Sequence, residues 1–460
     1  MLLAIVSLLS LAARFAFLGD PCHDPCRSAS DHKLVFDEVY YVNAARRIAG
    51  VPVPADMPYS SAPAGLDPNA EHPQLAKLVI AGSIELFGDR PLAWRLGSLI
   101  AGSLAILGCF ALVRAAGGGR WLALGAATLM AADNLLLVHG RIGTLDIYVL
   151  ALMLWAAVAY LRGHPIVAGT LLGVGSCVKL VAPDLLLVLA GIEAARLWTA
   201  RRARRRAAGL EAEAQPPPGT AGDSAAVGPH LLRFGSCAVT AAGVFAGLLA
   251  LLDRIAPPYD PTKSARVGGG PFAHLSHMLA FAGAQVSRHG PRGIASYPWQ
   301  WFGDYKAIVY LNIVPGHPAP GLERIHPEAH FLGAISPPIL LLALPGLALA
   351  AWSLRRAGAD GQGAGGPADG HGAGGQAGGA DISGLVALAW VLGTFLPFEL
   401  ASLIGQRTSY LYYMVIVMPG IYIAVARLVA HPRAPRWLVG LWIAAVAVAV
   451  VLMYPFTPLP

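Results

Sequence analysis

Two adjacent carboxylates, Asp37 and Glu38, sit in Phe36-Asp37-Glu38-Val39-Tyr40-Tyr41, just beyond the first apolar segment of the chain. Ionisable groups beside a bilayer are costly unless they line a wet cavity or carry out chemistry. A solvated loop holding two acids is the plainer reading of the pair. Further residues widen the choice: a third acid at Asp146, a basic pair at His72 and Lys77, Lys179 inside an apolar run, Arg407 before another, and loop aromatics Trp299 and Trp301. Separately each has an ordinary explanation. Lys77 can snorkel, Tyr40 and Tyr41 suit an interfacial aromatic belt, and the tryptophans can anchor a surface helix. Collected on one side of a membrane, the same set suits a site where a carboxylate deprotonates a hydroxyl while cations hold a phosphate leaving group.

The composition supplies the membrane. Of 460 residues, 56% are hydrophobic and only 13% charged, and the mean hydropathy is +0.57. That balance excludes an ordinary soluble domain and implies an all-α polytopic membrane protein. Lys plus Arg number 33 against 26 acids, a net charge of +7, which in such a chain marks cytoplasmic loops. No basic surface interleaved with aromatics points to nucleic acid. Five cysteines are too few for a disulfide framework. Cys22 and Cys26 could pair if their loop faces an oxidising compartment, or hold a metal with His23 and Asp24.

The elements that must position the candidate residues follow from apolar run lengths. Residues 1–19 read as a retained first span, 37–50 and 72–88 as short interfacial helices, and 91–113, 121–138 and 145–161 as spans. Residues 165–199 exceed one helix and are interrupted at Lys179 and Pro183-Asp184, so two short spans meeting at a polar break are expected. Further spans are expected near 231–252, 332–354, 383–403, 411–429 and 438–455. Counting 72–88 as non-crossing gives about 11 spans, with a cytoplasmic N-terminus and every arginine cluster inside. Asp37, Glu38, His72, Asp146 and Arg407 then share the external face. The organisation expected is a transmembrane core, 1–252, with an external catalytic loop at 20–90, an external loop with amphipathic helices at 253–331, and C-terminal helices at 332–460. Flexible cytoplasmic linkers are expected at 200–229 and 355–382.

Phe36-Asp37-Glu38-Val39-Tyr40, Glu71-His72-Pro73-Gln74-Leu75-Ala76-Lys77-Leu78 and Phe87-Gly88-Asp89-Arg90-Pro91-Leu92-Ala93-Trp94-Arg95-Leu96 resemble, in order and spacing, the N-terminal half of the protein O-mannosyltransferase family. Arg141-Ile142-Gly143-Thr144-Leu145-Asp146, Ser176-Cys177-Val178-Lys179-Leu180, Tyr297-Pro298-Trp299-Gln300-Trp301 and Arg407-Thr408-Ser409-Tyr410-Leu411-Tyr412-Tyr413 are similar to its later signatures. Gln74 stands where that family usually has a second proline, Val178 and Leu180 depart from the usual surroundings of the lysine, and no β-trefoil domain occupies the external loop.

The resemblance implies a GT-C fold and transfer of a sugar, by likeness mannose, from a polyprenyl-phosphate donor to a hydroxyl acceptor such as Ser or Thr of an exported protein. It implies Asp37 as general base, Glu38 supporting acceptor or sugar binding, and Asp146 as the second acid. Arg141, Lys179 and Arg407 become candidates for the donor phosphate, and His72, Lys77, Arg95, Trp299, Trp301 and Tyr412 for substrate binding. No cofactor is required on this reading. A related group, the transferases that put aminoarabinose on lipid A, has a metal site that Glu71 could echo, and would direct the sugar to a lipid or cell-wall glycan. A lipid transporter or flippase is the remaining alternative, although no repeated halves appear.

Overall fold

The computed structural model describes residues 1–211, 221–314, 321–359 and 381–458. Helices dominate. In chain order they are α1 (Leu2–Phe15), α2 (Glu38–Ile48), α3 (Leu75–Phe87), α4 (Pro91–Ala115), α5 (Arg120–Ala132), α6 (Asn134–His139), α7 (Asp146–Leu161), α8 (Pro165–Ser176), α9 (Asp184–Glu211), α10 (Ala221–Ile255), α11 (Gly270–Ala284), α12 (Pro337–Leu341), α13 (Ala343–Ala359), α14 (Ser383–Gly405), α15 (Met414–Val429) and α16 (Arg436–Leu452). Apolar residues all round α4 and α15 bury both helices inside the bundle, as expected of central elements. α4 packs on α7, α7 on α8, α8 on α10, and α9 on α14, which also meets α15.

Among the described residues, five stretches are long and apolar enough to cross a bilayer: Pro91–Ala115, Val227–Ile255, Pro337–Arg356, Ser383–Gly405 and Leu411–Val429. Several other expected spans are helices too short to qualify, including α5, α7 and α8. Asp133 separates α5 from α6. Its carboxylate accepts from the Ser336 amide at 2.7 Å and from the Tyr422 hydroxyl at 2.5 Å, so a polar tie occupies the middle of what sequence reads as one run.

Two expectations need correction. The segment 200–229, read as a flexible linker, begins inside α9, which continues through the arginine run to Glu211, and α10 already starts at Ala221. The Ala and Arg that dominate residues 200–208 are good helix formers. The rest of that linker, 212–220, and 360–380 of the second linker lie outside the described residues. The fold is also not purely helical. β1 (Cys22–His23) pairs with β5 (Ile325–His326), β2 (Tyr259–Asp260) with β3 (Ala265–Arg266), and β4 (Ile308–Ile313) with β6 (Ala329–Gly333), all antiparallel. Among the described residues, the long loop 253–331 therefore contains α11, a short 3-10 helix at Pro298–Gly303 and short antiparallel strand pairs. Ile308-Val309-Tyr310-Leu311, β-branched and aromatic, suits a half-buried strand. The β1–β5 pair binds this loop to the segment after α1, within which a Cys22–Cys26 disulfide closes a short turn.

Candidate active site

Three helices begin at one cavity of about 570 Å³. Asp37 caps α2, Asp146 opens α7, and Asp184 opens α9, so three carboxylates stand at helix N-termini whose backbone amides carry positive potential. Asp37, Glu71, His72, Asp146, Lys179, Asp184, Arg407 and Tyr412 all line the cavity. The walls between them are aromatic and apolar, with Phe36, Tyr41, Tyr410 and Tyr413 on one side and Met278, Leu279 and Phe281 of α11 on another.

Lys179 lies in the polar break between α8 and α9, where Pro183 cannot donate to a helix ladder. Its Nζ donates to Asp146 Oδ1 at 2.6 Å, and its charge sits 5.5 Å from the ring centres of Tyr412 and Tyr413. Burial works most strongly against this ammonium, but Asp146, Tyr413 and Asp37 together outweigh it and hold the Lys179 pKa above its ordinary value. Arg407, the other cation of the cavity, has a buried Nε with no partner among the described residues. That is a donor left for an anion.

Asp37 reaches the cavity but is otherwise deep beneath the surface. Burial pushes its carboxyl up to about 7, Lys179 pulling it down and Asp146 adding to the rise. Burial, with Lys179, Lys77 and Arg407 nearby, drives His72 well below its usual range, so its ring is neutral at pH 7. Glu71 accepts from Asn69 Nδ2 at 2.6 Å and the Tyr59 hydroxyl at 3.3 Å, and burial raises its pKa.

Six other candidates lie outside the cavity wall, and each has a physical reason to. Glu38 is fully buried and accepts four hydrogen bonds: from Arg95 Nε and Nη2, each at 2.8 Å, from the Val35 amide at 2.8 Å and from the Gly143 amide at 2.7 Å. Its lone pairs are used, so it orients the Asp37 loop and has no capacity left for substrate. Arg95 spends its remaining donors on the backbone carbonyls of Leu18 and Lys33. Lys77 is buried against Asp67 at 2.5 Å and donates to the carbonyls of Asn69 and His72. Arg141 donates to the carbonyls of Ala16 and Phe17 and lies over the rings of Phe331 and Phe456. Trp301 is wholly enclosed by Phe395, Phe398 and Tyr413, with its Nε1 donating to Ser296 Oγ. Trp299 is exposed and stacks on Tyr297. Lys77, Arg95, Trp299, Trp301, Arg141 and Glu38, expected at the substrate, thus lie outside the cavity wall in contact with protein groups, and Arg141 keeps a buried Nε and Nη1 with no partner among the described residues.

Sequence reading passed over Asp184, Asn69, Tyr410 and Tyr413. The tyrosine-rich Tyr410-Leu411-Tyr412-Tyr413 and the Pro-Asp helix start at 183–184 were the available signals. Gln74, at the position usually held by proline, donates to Asp253 Oδ1 at 2.7 Å, and Asp253 also lies 2.7 Å from His274 Nδ1. The departure thus fastens α3 to α10 and α11.

Residues 71–208 match the family model described as dolichyl-phosphate-mannose-protein mannosyltransferase. This stretch includes His72, Asp146 and Lys179 but not Asp37. A polyprenol-phosphate-mannose–protein mannosyltransferase of Corynebacterium glutamicum is 32% identical over 169 residues, which is 35% of this chain and 29% of that protein. The fold resembles a chain of the S. cerevisiae protein O-mannosyltransferase Pmt1–Pmt2 complex bound to its sugar donor, with a TM-score of 0.63, 11% identity, and coverage of 99% of this chain and 89% of that one. It also resembles ArnT of Cupriavidus metallidurans bound to undecaprenyl phosphate, with a TM-score of 0.53, 15% identity, and coverage of 97% and 62%. Residues 71–208 thus resemble that mannosyltransferase family model in sequence, the chain spans less than a third of the length of the curated relative it matches, and the fold over nearly the whole length is that of the two solved chains.

Proposed function

We propose that the chain transfers mannose from a polyprenyl-phosphate donor to a hydroxyl of an exported protein, at Ser or Thr, on the external face of the cell membrane. One observation carries the reading: a carboxylate tuned to about 7 by burial, Asp37, shares a cavity with two cations, Lys179 and Arg407. A general base works best when its pKa lies near the operating pH. Asp37 accepts the proton of the acceptor hydroxyl as its oxygen bonds to the anomeric carbon. The bond from that carbon to the phosphate oxygen breaks, and the electron pair leaves with the phosphate, whose growing charge Arg407 and Lys179 neutralise. Asp146 holds Lys179 in place. A single displacement inverts the anomeric configuration, since no second carboxylate need form a covalent intermediate. His72, neutral, and Tyr412 complete the substrate wall.

The lipid donor reaches a site at the membrane surface, which suits a cavity walled partly by Met278, Leu279 and Phe281. Eleven crossings are formed in this reading by α1, α4, α5 with α6, α7, α8, α9, α10, α12 with α13, α14, α15 and α16. The N-terminus is cytoplasmic, and the Cys22–Cys26 disulfide fits an oxidising exterior. No metal is required, because Asn69 and Tyr59 already engage Glu71 and two side-chain cations serve the phosphate. ArnT-like transfer to a lipid or glycan remains the second reading, favoured by Glu71 lining the cavity.

The test is purified protein in nanodiscs with labelled polyprenyl-phosphate mannose and a Ser/Thr-containing acceptor peptide. Transfer with inversion, persistence in chelator, and loss by at least about a hundredfold in Asp37→Asn are expected. Label that crosses the bilayer without covalent transfer would instead make the protein a transporter, retention would exclude the single displacement, and transfer only to lipid would move the acceptor class.

A further inference from the structure

Behind the cavity wall, one side chain of the external loop touches one acid-bearing segment and reaches the other through a histidine. The register of the β4–β6 pair slips at Tyr310: Ile308 faces Gly333 and Val309 faces Leu332, yet Leu311 already faces Phe331. An extra residue in one strand bends it and re-aims a side chain, and such bulges gather beside active sites. The bulge turns Tyr310 into the protein. Its ring stacks on Phe36, with centroids 3.9 Å apart and planes at 13°. Its hydroxyl lies 2.8 Å from His139 Nε2, and His139 Nδ1 lies 3.2 Å from Thr144 Oγ1. A neutral imidazole offers one donor and one acceptor, which two hydroxyls can match.

Phe36 and Thr144 are not arbitrary contacts. Phe36 immediately precedes Asp37, and Thr144 lies two residues before Asp146. Phe36 also has φ +55°, a left-handed conformation that costs a bulky residue roughly 1–3 kcal/mol and persists only where the surroundings impose it. The Tyr310 stack on its face and the edge of Tyr412, at 5.4 Å and 75°, are what surround that ring. Across the hairpin, a Cβ at Gly333 would overlap the Tyr310 ring, so the partner strand is hollowed where the tyrosine sits. Burial, followed by Asp37 and Asp146, raises the Tyr310 pKa far above its ordinary value, which places the phenol, as a neutral group, within the field of both acids.

We propose that Tyr310 is a positioning residue: from the bulge in β4 it holds Phe36 in its left-handed conformation and, through His139, the Thr144–Asp146 turn, so that Asp37 and Asp146 keep one mutual geometry. The inference rests on Asp37 as the base. It makes the external loop a structural part of the site, although no loop residue on β4 contacts the cavity.

The two interactions can be separated. Tyr310→Phe keeps the stack and removes the hydrogen bond, Tyr310→Ala removes both, and Gly333→Ala pushes the ring from its place. Each variant is compared with wild type in the same nanodisc transfer assay, with kcat, KM for the donor, and unfolding temperature measured together. The expected result is a fall in kcat of about five- to tenfold for Tyr310→Phe, the worth of one hydrogen bond, and a larger fall for Tyr310→Ala. KM and the unfolding temperature of Tyr310→Phe stay near wild type. A Tyr310→Phe enzyme within twofold of wild-type kcat overturns the coupling through His139. A loss of turnover matched by an equal loss of folded protein reduces Tyr310 to a packing residue and overturns the positioning role. If Tyr310→Ala does not fold, Tyr310→Phe and Gly333→Ala decide. A wild type without turnover fails the functional reading itself, a result distinct from an active wild type whose variants are unaffected.

Discussion

Asp37 differs from the nearby Glu38 in how its charge is met. Glu38 has four donors and faces none of the cavity; Asp37 has the cavity, with Lys179 and Asp146 pulling in opposite directions. The pH dependence follows. Burial raises Asp37 to about 7, so below that pH the carboxyl carries its proton and cannot accept another. Turnover should therefore rise with pH, falling about tenfold per unit on the acid side of a midpoint near 7, and a kcat profile flat from pH 5 to 8 would contradict Asp37 as base. The stability effect has the opposite sense. Because the folded-state pKa is raised, protonation of Asp37 favours the fold, fully below its ordinary range and lost as pH rises through about 7. Asp37→Asn should then fold at least as well as wild type at pH 8. Motif spacing made it legible in sequence that Asp37, Asp146, Lys179 and Arg407 would be brought together, and all four line the cavity. The placement of Lys77, Arg95 and Arg141 outside the cavity wall was not legible, because a sequence displays a charge without its partner. Each partner is either a backbone carbonyl or an acid distant in sequence, as Arg95 and Glu38 are.

At the scale of elements, the site depends on where helices begin. α2 presents its N-cap Asp37 at the cavity, α7 and α9 present their first residues Asp146 and Asp184, and the α8–α9 break presents Lys179 among them. Hydropathy and Pro183 make that break legible. The strands were not legible, because β1, β2, β3 and β5 are two residues each and take their meaning from partners elsewhere. The Glu38–Arg95 pair is what fixes α2 against α4, with Gly143 and Val35 drawn into the same carboxylate. Removing one member of a buried pair strands the other charge and costs about 3–5 kcal/mol. Arg95→Ala should lower the unfolding temperature in detergent and reduce folded yield, with kcat per folded molecule changing less than total activity. A variant of unchanged stability but abolished turnover would return Arg95 to the substrate. In that outcome Glu38 would need a donor from another group, and the structure offers none beyond the two amides.

At the scale of the whole molecule, the C-terminal tail tests the topology independently of arginine counts. Tyr454 donates from its hydroxyl to the Ala13 carbonyl at 3.0 Å, Phe456 packs 5.0 Å from Phe17, and the Pro455 carbonyl accepts from the His330 amide at 2.8 Å. The tail after α16 therefore lies at the C-terminal end of α1 and beside the 253–331 loop, on the side where Asp37 follows α1. A chain whose first helix starts on one face and whose tail ends on the other has crossed an odd number of times. In the proposed topology α1 crosses, α2 and α3 stay on one side, and eleven spans give that odd parity. In the proposed topology the arginines of the α4–α5 turn, Arg114 and Arg120, fall on the opposite, cytoplasmic face. Two single cysteines separate the alternatives. Thr457→Cys, on the tail, should react in intact cells with a membrane-impermeant maleimide, and Gly119→Cys, exposed at the start of α5 with open space for a side chain, only after permeabilisation. The native thiols do not compete, since Cys109, Cys177 and Cys237 are buried and Cys22 and Cys26 are joined. Labelling of both positions before permeabilisation would break the parity, and labelling of Gly119→Cys alone would put Asp37 and its cavity inside the cell, where an acceptor still being exported could not meet them.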